Sequence, residues 1–220
     1  ADTQKGVVEY CKRNIKNDKI KFLQSDLFSK IRGRFDTIIF NPPYLPQELK
    51  LRDLTLEGGR KGYEVIEKFL NQVNNFLNSN GIILMVFSSL TKKDKIEEFI
   101  KSNLLEFEEL EKQHIFFEDL HVYLIKKTEI LKELEKKRVK DIKFFAKGKR
   151  GLVFAGKYKG KKTAIKIKNP KSKVDKIENE AKWLKKLEKY GISPKLFFDA
   201  KNYVVCEFIE GDFIIEYIKK

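Results

Sequence analysis

Apolar residues recur in the first half of the chain in short blocks that alternate between two spacings. Val7, Val8, Tyr10 and Cys11 share one helical face within residues 3–14, which predicts a helix, and Lys21 to Leu23, leaving through Asp26, predicts a strand. Asp36 to Phe40 is uncharged after its first residue and rich in Ile, so it predicts a buried strand that stops at Pro42-Pro43. Gly58-Gly59 and Gly62 mark a loop with unusual backbone angles. An amphipathic helix is predicted from Tyr63 to Leu77, ended by Asn80-Gly81, with Ile82 to Phe87 as the next buried strand. Thr91 to Ser102 reads as a helix, and 107–113 with 120–126 as an antiparallel strand pair. This is an α/β pattern.

The pattern then changes. Residues 128–140, TEILKELEKKRVK, are charged and lack Gly and Pro, so a helical linker is predicted between one domain at 1–127 and another at 141–220. The second domain opens with Gly148 and Gly151, a strand from Leu152 to Ala155, a turn at Lys159-Gly160 and a strand from Thr163 to Lys168, which together form a hairpin entered through a glycine loop. A helix bearing Glu180 and an apolar run from Tyr203 to Ile209 follow.

Composition narrows the setting. The 220 residues are 41% hydrophobic and 36% charged, and no apolar run approaches the ~20 residues of a membrane span. No basic-then-apolar leader opens the chain, and Cys11 and Cys206 form neither a metal nor a disulfide pattern, so a reducing cytoplasm and no bound metal are expected. The net charge of +15 is uneven: residues 1–128 carry 21 Lys/Arg against 19 Asp/Glu, and residues 129–220 carry 26 against 13. A basic half can attract RNA or another polyanion, yet its lysines alternate with apolar residues as on solvated strands and helices. The chain begins with Ala, its only Met is Met85, and Ala1-Asp2 reads as the tail of a strand, which together suggest a fragment. His114 and His121 lack metal-ligand partners and read as structural.

The sharpest chemistry lies at Asn41-Pro42-Pro43-Tyr44. Proline fixes φ and has no N–H, so the pair holds one extended shape while its carbonyls stay free as acceptors. The Asn41 carboxamide oxygen and the Pro42 carbonyl can both accept from one substrate NH2, which would aim the nitrogen lone pair at an electrophile. Tyr44 can cover the site, and its ring face suits a sulfonium cation. The plain alternative is a turn that closes a strand. The tetrapeptide resembles the catalytic signature of S-adenosylmethionine (SAM) dependent N-methyltransferases, and FDTIIFNPPYLP with LTLEGGRKGYEVIEKFL after it resembles HemK/PrmC-type release-factor glutamine methyltransferases in their archaeal and eukaryotic form. That resemblance, over residues 1–127, implies a Rossmann-like fold and SAM as cofactor. It places Asp2 on the ribose hydroxyls, Asp26 on the adenine amino group, and Asn41 at both the substrate and the methyl donor. It also implies a release factor as protein substrate and a small activating partner subunit. The family's first strand and Gly-rich loop should precede Ala1. Adenine-N6 methylation of nucleic acid uses the same tetrapeptide and is the competing reading.

The second half resembles the N-terminal lobe of protein kinases, especially archaeal atypical RIO-like kinases, over residues 141–220. The resemblance implies an α+β lobe that binds ATP. Gly148 and Gly151 would cover the phosphates, with Ala146 in place of a first glycine; Val153 and Ala164 would pack on adenine. Lys166 would contact the α/β-phosphates and pair with Glu180. Cys206 would be the gatekeeper and Glu207 to Ile209 the hinge. No HRD or DFG motif occurs within the 220 residues. A third reading makes this half the functional module and the first half its scaffold.

Overall fold

The structure, a computed structural model, describes residues 1–47, 57–148, 151–168 and 177–211. It divides into two compact units, Ala1–Thr128 and Glu129–Lys220.

In the first unit, strand β1 (Phe35–Phe40) lies parallel to β2 (Leu77–Ser88), and β4 (Glu118–Lys127) and β3 (Leu105–Ile115) continue the sheet antiparallel in the order β1-β2-β4-β3. Helices α1 (Lys5–Asn14), α2 (Glu64–Val73) and α3 (Lys93–Ser102) complete a mixed α/β unit. Helix α2 buries Ile66, Phe69, Leu70 and Val73, the i, i+3, i+4, i+7 stripe of a core-facing helix. Each such side chain contributes roughly 1.5–3 kcal/mol by leaving water. Ile83, Met85 and Phe87 of β2 and Tyr123 and Ile125 of β4 are fully buried on one side of the sheet. The Tyr123 hydroxyl donates to Glu97 of α3 at 3.0 Å, fixing that helix on the same side. His121 is buried against Phe87, and its Nδ1 lies 2.7 Å from Glu109, while exposed His114 meets Asp119 at 2.9 Å. Buried Lys127 donates to the carbonyls of Asn74 and Leu77 at 3.1 and 2.9 Å, closing the C-terminal end of α2 onto β2.

Several expectations are corrected. Helix α2 stops at Val73, not Leu77, and Asn80-Gly81 lies inside β2, where the ladder with β1 jumps from Leu77 to Ile82. A β-carbon at Gly81 would meet the Leu77 side chain at 2.8 Å and the Phe35 carbonyl at 2.9 Å, so this glycine serves close strand approach rather than a helix stop. The strand at Lys21 to Leu23 is reduced to a single parallel bridge, Asp2 to Gln24. The helix expected at 91–102 is broken at Lys92, whose φ is 57°. Strand β1, expected to be buried, is a sheet edge among the described residues, with Ile39 76% exposed. An apolar run alone cannot say whether a second strand flanks it.

The second unit carries the five-stranded antiparallel sheet β5-β6-β7-β9-β8, from β5 (Lys140–Lys147), β6 (Gly151–Tyr158), β7 (Lys161–Lys168), β8 (Leu196–Ala200) and β9 (Tyr203–Glu207). Adjacent residues Tyr203 and Val204 point to opposite faces. Tyr203 bonds Glu133 of α4 (Glu129–Lys136) at 3.0 Å, and Val204 packs with Ile177 and Ala181 of α5 (Ile177–Glu188). The charged stretch read as a linker is therefore helical where it buries Leu131 and Leu134. No helix is long and apolar enough to cross a membrane among the described residues.

Candidate functional site

Asn41 follows directly on the C-terminal end of β1, so the proline pair leaves the sheet at the edge where parallel strands present their ends. Pro42 is buried and Asn41 exposed. Neither the Asn41 carboxamide nor the Pro42 carbonyl has a hydrogen-bond partner among the described residues. Two acceptors without a partner among the described residues, one on an exposed side chain and one on a buried residue, thus sit on a backbone that cannot easily rotate.

That backbone is held from behind by the glycine loop. Leu45 and Glu57 form a parallel bridge, Gly58 N–H donates to the Leu45 carbonyl at 2.9 Å, and Gln47 N–H donates to the Gly59 carbonyl at 3.0 Å. A β-carbon at Gly58 would fall 2.5 Å from the Pro43 carbonyl, and one at Gly62, whose φ is 87°, would fall 2.7 Å from the Tyr44 carbonyl. The glycines expected to need unusual angles are required chiefly because the loop touches the motif. From below, Phe69 of α2 stacks on Phe40 at 3.8 Å and on Phe28 at 5.3 Å. One ring thus ties the residue before Asn41 to the segment that carries Asp26.

The segments that carry the two candidate cofactor carboxylates also pair. Asp2 bridges Gln24, and the Ser25 N–H donates to the Asp2 carbonyl at 2.8 Å, so Asp2 and Asp26 leave adjacent extended segments. One oxygen of Asp2 accepts the Gln4 N–H at 2.7 Å. Asp26 is held by Lys68 of α2 at 2.6 Å, both side chains being more than half exposed. Lys68 and Phe69 were not legible as site residues, because they reach the site through tertiary packing. Tyr44 is half-buried; burial first, and then the Glu118 carboxylate, raise its hydroxyl pKa above the ordinary tyrosine value.

In the second unit the Gly148 N–H donates to the Gly151 carbonyl at 2.9 Å across the β5–β6 turn, whose Lys149 and Arg150 lie outside the described residues. Val153 pairs with Lys166, Ala164 with Cys206, and Thr163 with Glu207, which brings these positions into one register. Lys166 Nζ donates to Glu180 of α5, with both side chains about one-third exposed. Burial, with the Glu180 charge next, pushes the Cys206 thiol pKa up to about 11. Ile209 is exposed beyond β9. A β-carbon at Gly151 would lie 2.5 Å from the Ile167 carbonyl, so strand packing alone demands glycine there; at Gly148 the nearest atom would be 3.6 Å away.

Residues 1–117 match the model of the methyltransferase small domain. The chain belongs to that family. Among curated members of this methyltransferase group, a protein of Methanocaldococcus jannaschii named as a protein N5-glutamine methyltransferase is 38% identical over 91 residues, spanning 38% of this chain and 46% of that one. The release factor glutamine methyltransferase of Haemophilus influenzae is 30% identical over 95 residues, spanning 38% of this chain and 32% of that one. The chain therefore spans less than half the length of either relative. A solved complex of E. cuniculi, Mtq2–Trm112, described as responsible for methylating the eRF1 termination factor, aligns at TM-score 0.41 and 21% identity over 48% of this chain and 60% of that one, too distant to carry an argument.

Proposed function

We propose that the first unit is the catalytic part of a SAM-dependent N-methyltransferase that modifies a glutamine side-chain amide in a translation release factor. The observation that carries this reading is the pair of acceptors without partners among the described residues, Asn41 and the Pro42 carbonyl, held from behind by the Gly58–Gly62 loop. An amide nitrogen is a poor nucleophile because its lone pair is delocalised. Two acceptors that bind both of its hydrogens hold the NH2 in one orientation, and alignment of this kind lowers the barrier to transfer without a base acting first; the N–CH3 bond would form as the S–CH3 bond breaks, and the N–H proton then lost would pass to water. Asp2 and Asp26 are the residues that would hold SAM, since one Asp2 oxygen is already oriented by Gln4 and Asp26 stands at the neighbouring segment's exit. SAM supplies an electrophilic methyl group when bound. The part-buried Tyr44 ring would cover the site, and its face would suit a cation.

The test uses the full-length protein with labelled SAM, offering a Gly-Gly-Gln peptide against an adenine-bearing oligonucleotide. The peptide is expected to take the label; preferential labelling of the oligonucleotide would replace this reading with adenine-N6 methylation. Asn41→Ala is expected to lower kcat by about 10²-fold or more while SAM affinity, which rests on Asp2 and Asp26, changes little.

A kinase-like, nucleotide-binding role for the second unit is favoured by one observation, the pairing of Lys166 with Glu180 between β7 and α5. ATP titration of the wild type against Lys166→Ala tests it, and equal affinities would overturn it.

A further inference from the structure

The hairpin between β3 and β4 carries three residues that the motif does not explain. Ile115 pairs with Glu118, which leaves Phe116 and Phe117 as a two-residue turn. Their side chains are 88% and 96% exposed, and Phe116 has a φ of 50°. A bulky residue in that left-handed region is strained, and glycine would serve the turn better. Exposed aromatic rings on a strained turn are costly features with no packing purpose. Beside them, one carboxylate oxygen of Glu118 is buried and has no hydrogen-bond partner among the described residues.

The topology puts this hairpin on the edge that carries the motif. Phe40 pairs with Met85, Met85 with Tyr123, and Ser88 with Leu120, so the chain beyond Phe40 rises level with the start of β4. The Asp119 N–H donates to Ser89 Oγ at 3.0 Å, tying the hairpin base to the segment leaving β2. Two strand spacings, roughly 10 Å, separate β1 from β4, and the Glu118 charge contributes to the raised Tyr44 hydroxyl pKa, so the two lie within electrostatic reach.

We propose that Glu118 and the Phe116-Phe117 turn form the wall of the site that grips the peptide carrying the acceptor glutamine, the Glu118 carboxylate accepting a main-chain N–H of that peptide. The inference rests on the glutamine reading above. The Glu118 side chain is part-buried, so its carboxylate, with one oxygen left without a donor in the fold, gains from accepting a hydrogen bond, and a peptide backbone offers an N–H beside every side chain. The same negative charge repels a phosphodiester, which sets this wall against a nucleic-acid substrate. The rings supply apolar contact on either side, as aromatic anchors do at protein interfaces.

The experiment measures Gly-Gly-Gln peptide binding to the full-length protein in the presence of S-adenosylhomocysteine, together with methyl transfer. Glu118→Ala is expected to raise the peptide Kd and KM about tenfold or more, with kcat and SAM affinity nearly unchanged and Glu118→Gln restoring part of the loss. Peptides N-methylated at successive main-chain nitrogens supply the control: one position should weaken wild type by a similar factor and leave Glu118→Ala unaffected. An Ala variant with unchanged peptide affinity, or equal losses for every N-methylated peptide in both proteins, would overturn the role of Glu118. Phe116→Gly should raise Tm while weakening the peptide; lower Tm with unchanged binding would show that the turn is structural. Wild type that transfers no methyl group to any glutamine amide would instead refute the function on which the inference rests.

Discussion

Gly58→Ala tests whether the loop behind the motif sets its geometry. The added β-carbon would stand 2.2 Å from the Gly62 carbonyl oxygen and 2.5 Å from that of Pro43. Non-bonded contacts settle at roughly 3.5 Å, so loop and motif must part by about 1 Å, and neither neighbour is a flexible side-chain end that could yield instead. A displacement of about 1 Å at positioning groups can cost about 10²-fold in rate, and overpacking of this kind costs about 1–3 kcal/mol. The loss should therefore appear both in kcat toward the glutamine peptide and in Tm. Gly6→Ala is the matched control, because a β-carbon there meets nothing within 4 Å and the residue lies inside α1. It should leave activity unchanged and stabilise by about 0.5–1 kcal/mol. Gly58→Ala with wild-type kcat would show that the motif keeps its shape without the loop, and the reasoning would fail.

Three other outcomes are expected. Lys127→Met removes the ammonium donor from the carbonyls of part-buried Asn74 and buried Leu77 and should destabilise by about 2–5 kcal/mol in denaturant titration, without selective loss of SAM binding. Lys166→Ala should weaken ATP binding by the second unit, and the 220 residues should show no autophosphorylation, which needs a base and metal ligands of the HRD and DFG type absent from the sequence. Cys206, with its thiol pKa raised to about 11, should react with maleimide near neutral pH about 10²-fold more slowly than an ordinary thiol. Its protonated form is favoured in the fold, so that contribution to stability is complete below the unfolded thiol pKa and is lost as pH rises toward 11.

Proline and glycine leave local signatures, and this is why the motif and the loop at Gly58–Gly62 could be read from sequence. The same residues mislead when one glycine has two uses. Gly81 reads as a helix stop but permits the approach of Phe35, and Gly151 reads as a phosphate cover but is required by the Ile167 carbonyl. Lys68 lies 42 residues from its partner Asp26, and Glu118 is farther still from Tyr44. No periodicity or spacing encodes such pairs, because they exist only after β1, β2 and β4 have taken their order in the sheet. Burial of β1 is not legible for a related reason: Ile38 and Ile39 carry the same apolar signal whether or not another strand lies beside them.

Alignment and ionisation make different demands on a site, and Tyr44 separates them. A catalytic base working near neutrality needs a pKa moved toward the working pH. The Tyr44 pKa is moved the other way, raised by burial and by Glu118, so the group stays a neutral hydroxyl through physiological pH and cannot take a proton from the substrate. The acceptors at Asn41 and Pro42 carry no titrating proton in that range either. If the motif acts by holding the amide, kcat should be flat between about pH 7 and 9, because no group it uses changes charge there. A tenfold rise in kcat per pH unit across that window, lost in Tyr44→Phe, would mean that the tyrosine works as an ionised base, and would replace alignment with proton abstraction as the source of the rate.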